Sequence, residues 1–367
     1  MFTNLNNHKN NIYFMKLALD QAKKNLGNTR DNPSVGCIIT KNNQLVSVGH
    51  TSASGRPHAE INAINLYRKN LIDSRLYVTL EPCTHFGKTP PCVNLIIKKK
   101  FKEVFYSIKD PDPRTFNKSL NILRKKGIGV KEGILKEEVD FFYRSYFKFK
   151  KKTLPFVTCK LAISKDFFTI NKKRKFITNE YSRGRVHLLR SSHDCIITSS
   201  KTINFDDSRL TCRINGLEHC SPARIIFDNK LKIKTTSTII KEANVHNTII
   251  FYNKNNPKKK KSLKKLKVRL IKIPLDDNLN LDIKMALIHA KKLGFSRIFL
   301  ECGQKLSTNF LNQNLVDDFK LFISNTNLNN NGDGNLNKFL KTLIKNKKFV
   351  KEKVNLLGEK LISYSIK

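Results

Sequence analysis

Leu80–Cys92 reads LEPCTHFGKTPPC, two cysteines with eight residues between them, a proline before each, and a histidine in the loop. Such a pair can be a redox couple, a structural zinc loop or part of a catalytic metal site. Upstream, His58 and Glu60 open HAEINAINLYRKN (58–70), whose apolar spacing predicts a helix. RLYVTL (75–80) predicts the strand that leads into Cys83, and PCVNLIIKKK (91–100) a helix with proline at its start.

His58, Cys83 and Cys92 together offer one nitrogen and two thiolates, a donor set suited to zinc. Three protein ligands leave a fourth tetrahedral position open, where water has its pKa lowered from near 16 to about 7. Glu60, two residues past His58, is the proton carrier such chemistry needs. His85 could instead close the site as a fourth, structural ligand, but Glu60 would then have no part to play. The H-x-E stretch and a proline before each cysteine favour a deaminase-type catalytic zinc.

Working outward, IYFMKLALDQAKKNL (12–26) predicts a helix, VGCIIT (35–40) and LVSVGH (45–50) a hairpin, and EVFYSI (103–108) a strand. Alternating strands and helices imply a three-layer α/β domain. At 367 residues two domains are expected. The α/β pattern restarts after the basic run FKFKKKTLP (147–155), giving domains at 1–150 and 151–367. In the second, PFVTCKLAIS (155–164), DCIITSS (194–200), ARIIFD (223–228), NTIIFY (247–252) and RIFLECG (297–303) predict strands, with a helix around 179–191. The Asn/Gly-rich segment 325–337 predicts a poorly ordered polar loop.

The net charge of +41 would suit a nucleic-acid partner. The lysines are dispersed, however, and accompany abundant Asn, Ile and Phe, as an AT-biased genome would produce, so nucleic acid is not the expected partner. Eight irregularly spaced cysteines, no signal-peptide pattern and no run near the roughly 20 apolar residues of a membrane span predict a reduced, cytoplasmic protein off the membrane. Homo-oligomerisation is compatible with this sequence.

NPSVG (32–36), GRPHAEINAI (55–64) and YVTLEPCTHFGKTPPC (77–92) together resemble the deaminase half of the bifunctional riboflavin-biosynthesis deaminase/reductases. The wide inter-cysteine loop separates that family from cytidine and tRNA-adenosine deaminases. The resemblance implies a cytidine-deaminase-like α/β/α sandwich with zinc on His58, Cys83 and Cys92, Glu60 as proton shuttle, and Asn32, His85 and Lys88 near the substrate. That substrate would be a phosphorylated diaminopyrimidinone ribosylamine, which loses an exocyclic amine as ammonia.

LPFVTCKLAISKD (154–166), LLRSSHDCIITSSKTINFDDSRLTCR (188–213), RIIFDNKLKI (224–233) and IFLECGQKLSTNFLNQNLVDDF (298–319) resemble the family's reductase half. This implies a dihydrofolate-reductase-like α/β domain that uses NADPH to reduce the ribosyl chain. By position Ala162, Phe176, Thr202, Asp206, Asn229, Gly303, Gln304, Lys305 and Leu306 would meet the cofactor. Arg174, Arg190, Leu210, Arg213 and Glu301 would meet the substrate. The chain departs from the family pattern at Phe167, where a glycine is expected, at 170–178, at ECG (301–303) and at 324–334. These departures leave an active deaminase joined to a weakened reductase-like domain as the alternative.

Overall fold

The computed structural model describes residues 2–151 and 154–367, with side chains from residue 8 onward. The chain divides into two compact units between residues 152 and 153.

The first unit runs α1 (Phe2–Lys23), β1 (Gly36–Lys41), β2 (Gln44–His50), α2 (Ala59–Leu66), β3 (Arg75–Leu80), α3 (Cys92–Lys98), β4 (Glu103–Ile108), α4 (Ser119–Lys125), β5 (Gly129–Glu132) and α5 (Lys136–Lys151). Among the described residues five strands form its sheet in the order β2-β1-β3-β4-β5. β1 is antiparallel to β2 and β3, while β3, β4 and β5 run parallel. Because side chains alternate along a strand, Ile38, Tyr77 and Phe105 pack with Phe14, Met15 and Ala18 of α1. Their neighbours Cys37, Val78 and Val104 pack instead with Ala59 and Ala63 of α2 and Val93 and Ile96 of α3. The result is three layers.

Gly49 lets α2 lie directly on β2, since a Cβ there would stand 2.3 Å from the Ala59 carbonyl oxygen. This close approach seats the helix whose first turn carries His58 and Glu60. Several expected bounds shift: α1 ends at Lys23 and α2 at Leu66, four residues before Asn70. The basic run at which the domain boundary was expected belongs to the first unit up to residue 151. It is the last turn of α5, where lysines face the helix's negative dipole end.

The second unit runs β6 (Phe156–Ile163), β7 (Phe168–Asn171), α6 (Glu180–Ser191), β8 (Cys195–Ser199), α7 (Ser200–Asp206), β9 (Ala223–Phe227), α8 (Thr238–Lys241), β10 (Thr248–Tyr252), α9 (Pro257–Lys265), β11 (Arg269–Lys272), α10 (Ile283–Lys292), β12 (Arg297–Leu300), α11 (Gln304–Asn312), β13 (Asp318–Ile323), β14 (Gly332–Asn335), α12 (Asn337–Ile344), β15 (Phe349–Lys351) and β16 (Lys360–Ser365). Nine of the described strands form a sheet ordered β11-β10-β9-β8-β12-β6-β13-β16-β15, parallel from β11 to β13 and closed by two antiparallel strands. Helices cover both faces. Ala286, Leu287, Phe310 and Leu311 of α10 and α11 bury one face, and Val186, Ile203, Ile239 and Leu263 of α6 to α9 bury the other.

The polar segment 325–337 is not the disordered loop expected from its composition. It forms a 3-10 turn at Asn329–Asn331 and then β14, antiparallel to β7. The Asp166 carboxylate accepts from the backbone N–H groups of Leu328 and Asn329 at 3.0 and 2.8 Å, and the Phe168 ring lies where a side chain on Gly332 would stand. Phe167, in place of the expected glycine, occupies the left-handed region at φ 71°, so the β6–β7 turn keeps a conformation that favours glycine.

Candidate functional site

In the first unit two helix starts and the end of a strand converge. His58 caps α2, Cys92 is the first residue of α3, and Cys83 lies three residues beyond β3. The ligand atoms of His58, Cys83 and Cys92 all lie within 4.8 Å of one another. His58 Nδ1 stands 3.4 Å from Cys92 Sγ and 3.6 Å from Cys83 Sγ. Zinc–nitrogen and zinc–sulfur bonds of about 2.0 and 2.3 Å around a tetrahedron give nitrogen–sulfur edges of about 3.5 Å. The donor set and its spacing therefore fit zinc.

The Cys92 backbone N–H donates to Cys83 Sγ at 3.2 Å. Hydrogen bonds from Cys92 and His58 hold the Cys83 thiol well below its ordinary range, while donation to Cys83 and burial push Cys92 up. Glu60 is buried beside them, and burial raises its carboxyl to about 7 against the pull of His58. His85 is not part of this cluster among the described residues. Its Nδ1 pairs with Thr115 Oγ1 at 3.1 Å. Asn32 packs beneath Gly55, next to the His58 segment, and Lys88 is exposed in the inter-cysteine loop.

Glu81 is a participant that reading the sequence missed. Buried at the end of β3, it accepts from the N–H groups of Asp110, Asn117 and Ser119 and from the Ser119 hydroxyl at 3.0–3.2 Å. It thereby moors residues 110–119, including the Thr115 that holds His85. A glutamate directly before Pro82-Cys83 was the visible signal.

In the second unit the carboxyl ends of neighbouring strands β8 and β12 form the crevice where open α/β sheets bind ligands. Arg190 of α6 forks onto Glu301 at 2.8 and 2.9 Å, and its Nη1 donates to the Thr211 carbonyl at 2.9 Å. His187 Nδ1 accepts from the Arg213 backbone N–H at 3.2 Å, drawing in the 210–213 segment, where Leu210 is buried at φ 57°. Thr202 Oγ1 accepts from the Gly303 N–H at 3.1 Å, which ties α7 to the start of α11. Asp206, at the end of α7, is raised by burial and feels Lys175, Glu301 and Lys160.

Lys160 is the second residue missed. It stands half-buried on β6, its pKa lowered by burial, in the field of Glu301 and Arg190. A lone lysine within the apolar run PFVTCKLAIS was the signal. Other expected residues lie apart in their bonding. Phe176 is exposed under the Arg183 guanidinium, 4.5 Å away, Arg174 bonds through its backbone N–H to Asn171, and Ala162 lies within β6, packed against the core of one sheet face.

The residues at the crevice fit a phosphate-bearing nucleotide. The start of α11 presents N–H groups that no helical carbonyl uses, with exposed Lys305 beside them. Asn229 donates to the Leu279 carbonyl, but among the described residues its buried Oδ1 has no hydrogen-bond partner. Gly334 of β14 comes so close to Gln304 that a Cβ would lie 2.6 Å from Oε1, which braces the 303–306 turn against the ribbon.

Residues 8–108 match the cytidine and deoxycytidylate deaminase zinc-binding region, and residues 155–328 match the RibD C-terminal domain. The riboflavin biosynthesis protein RibD of Aquifex aeolicus is 32% identical over 354 residues, covering 96% of this chain and 97% of that one. The chain belongs to the RibD family. The Bacillus amyloliquefaciens member is 31% identical over 85% of this chain and 84% of its own length. The solved Acinetobacter baumannii RibD superposes with a TM-score of 0.83 at 26% identity, covering 98% of this chain and 99% of that one. A Thermotoga maritima structure described as a diaminohydroxyphosphoribosylaminopyrimidine deaminase/5-amino-6-(5-phosphoribosylamino)uracil reductase gives 0.80 at 27%, with coverage of 98% and 99%.

Membership makes the chain a bifunctional deaminase and reductase of riboflavin biosynthesis, with zinc and NADPH as its cofactors. The fold expectation, a cytidine-deaminase-like sandwich followed by a reductase domain, holds. A small-molecule pyrimidine substrate accords with it. Among the described residues no helix is long and apolar enough to cross a membrane.

Proposed function

We propose that residues 1–150 deaminate a diaminopyrimidinone ribosylamine phosphate and that residues 151–367 reduce the ribosyl group of the product to ribityl. The observation that carries this reading is the convergence of His58, Cys83 and Cys92 beside the buried carboxyl of Glu60.

His58, Cys83 and Cys92 would hold the zinc, which would lower the pKa of a bound water so that hydroxide is available near neutral pH. Glu60 takes the water proton and passes it to the departing amine. A ring carbon–oxygen bond forms, the carbon–nitrogen bond breaks, and ammonia leaves. Burial works against the charged form of Glu60, which suits the carboxylate to take up a proton and then give it away.

NADPH, when bound, would supply a hydride to the anomeric carbon of the deaminated product, while the bond from that carbon to the ring oxygen breaks and the oxygen takes up a proton from solvent. The 303–306 turn, Thr202, Asp206 and Asn229 would hold the cofactor, with Ala162 and Phe176 at its margins. Glu301 and Leu210 shape the sugar site. The Arg190 fork is already engaged by Glu301 and Thr211, so it positions Glu301, and exposed Arg213, with Arg174, meets the substrate phosphate. Eight cysteines, none of them in a disulfide among the described residues, support a reducing, cytoplasmic setting.

The deciding experiment supplies the phosphorylated diaminopyrimidine with and without NADPH and weighs the products. Without NADPH the mass should change by exchange of an amine for an oxygen. With NADPH a further two hydrogens should be added. No amine loss would overturn the deaminase assignment, and no NADPH-dependent gain the reductase one.

A further inference from the structure

We propose that Arg56 recognises the phosphate of the deaminase substrate, as a specificity residue built on the approach to His58. The inference rests on the phosphorylated substrate of the reading above. Arg56 stands two residues before His58 and is half-buried. Its side chain crosses to the loop between Cys83 and Cys92, where Nη1 donates to Thr89 Oγ1. Gly87, on the same loop, makes room for the guanidinium: a Cβ there would lie 3.2 Å from Nη2.

The guanidinium has five N–H donors, and that bond to a neutral hydroxyl uses one of them. Among the described residues Arg56 forms no ion pair. Nearby Arg114 differs, being spent on the Asp112 carboxylate at 2.6 and 2.9 Å. Lys88 lies between Gly87 and Thr89 and is exposed, so the loop presents a second cation next to the first. A guanidinium fixed at one corner, with its remaining donors unused and no carboxylate to neutralise it, is suited to a planar two-point grip on phosphate. A purely structural tether to Thr89 would need only one uncharged donor.

The test uses the full-length zinc-loaded chain and two probes, the diaminopyrimidinone ribosylamine with and without its phosphate. Arg56→Ala should raise KM for the phosphorylated form by about 10- to 100-fold, the value of a charge-assisted hydrogen bond, with kcat little changed. On the form without phosphate the loss should shrink to about two-fold or less, because the interacting partner is already gone. Arg56→Lys, which keeps the charge but not the fork, should fall between. Thr89→Val should give a smaller loss with the same dependence on phosphate. Equal losses on both probes, or none on either, would overturn the proposal, and zinc content close to wild type shows that a loss is not unfolding. If wild type released no ammonia from either probe, the deaminase reading itself would fail, a different result from intact deamination that ignores Arg56.

Discussion

Arg190 and Glu301, 111 residues apart, meet in a two-point fork with Nε–Oε2 at 2.9 Å and Nη2–Oε1 at 2.8 Å. Burial alone would raise the Glu301 carboxyl, but the Arg190 guanidinium outweighs it and holds the carboxyl at about 2. An unfolded glutamate titrates near 4.3, so the folded pKa is depressed. The stability it contributes, up to about 3 kcal/mol, is then present above pH 4.3 and lost as pH falls toward 2. Urea unfolding of wild type and Glu301→Gln should show a gap that is full at pH 5 and narrows by pH 2.5. A gap independent of pH would show that the ion pair is not its source.

Glu60→Gln should keep its metal and lose ammonia release by about 10²- to 10⁴-fold, the usual scale for removing a general acid–base. Metal analysis and ammonia release on one preparation check both halves. Loss of zinc from a folded variant would move Glu60 from proton carrier to ligand support.

The metal cluster was legible in the sequence because each ligand lies in a short motif at a helix start or strand end, and three local readings sufficed. The Arg190–Glu301 fork was not legible in that way. Neither residue is distinctive alone, and only resemblance brought them together. Glu81 and Lys160 escaped because their meaning lies in what surrounds them, four donors around one carboxylate and a charge pair beside one ammonium. The β7–β14 ribbon escaped for another reason. β14 reads Gly-Asp-Gly-Asn, against strand propensity, and it is made by pairing across some 160 residues.

Removing the metal should separate the two activities. A chelator, or Cys92→Ala in a buried ligand, should end ammonia release while the deaminated intermediate still consumes NADPH. Parallel assays of both steps check this. Loss of both would show that the second unit depends on the metal of the first.

Glu81→Ala should free residues 110–119. Four donors would lose one buried acceptor, at a cost of about 3 kcal/mol or more. Urea unfolding should reveal the loss, and proteolysis should cut within 110–119. Glu81→Gln should recover part of it, since its one remaining oxygen still accepts. An undisturbed segment in the alanine variant would mean that other contacts hold it.

Gly332→Ala tests whether the polar ribbon serves the cofactor turn. Its Cβ would fall 2.3 Å from Phe168 Cγ, the rigid base of the ring, so the ribbon must open. Such overpacking costs about 1–3 kcal/mol. Two residues on, Gly334 touches Gln304, so an opened ribbon also releases the turn at the head of α11. Gly332→Ala should therefore weaken NADPH binding while ammonia release is unaffected. Adding Phe168→Ala makes room for the new methyl group and should restore part of the binding, because the two changes are coupled through one contact. NADPH fluorescence titration of the single and double variants checks the coupling. Strictly additive effects would separate the ribbon from the cofactor site and return it to the role of a surface loop.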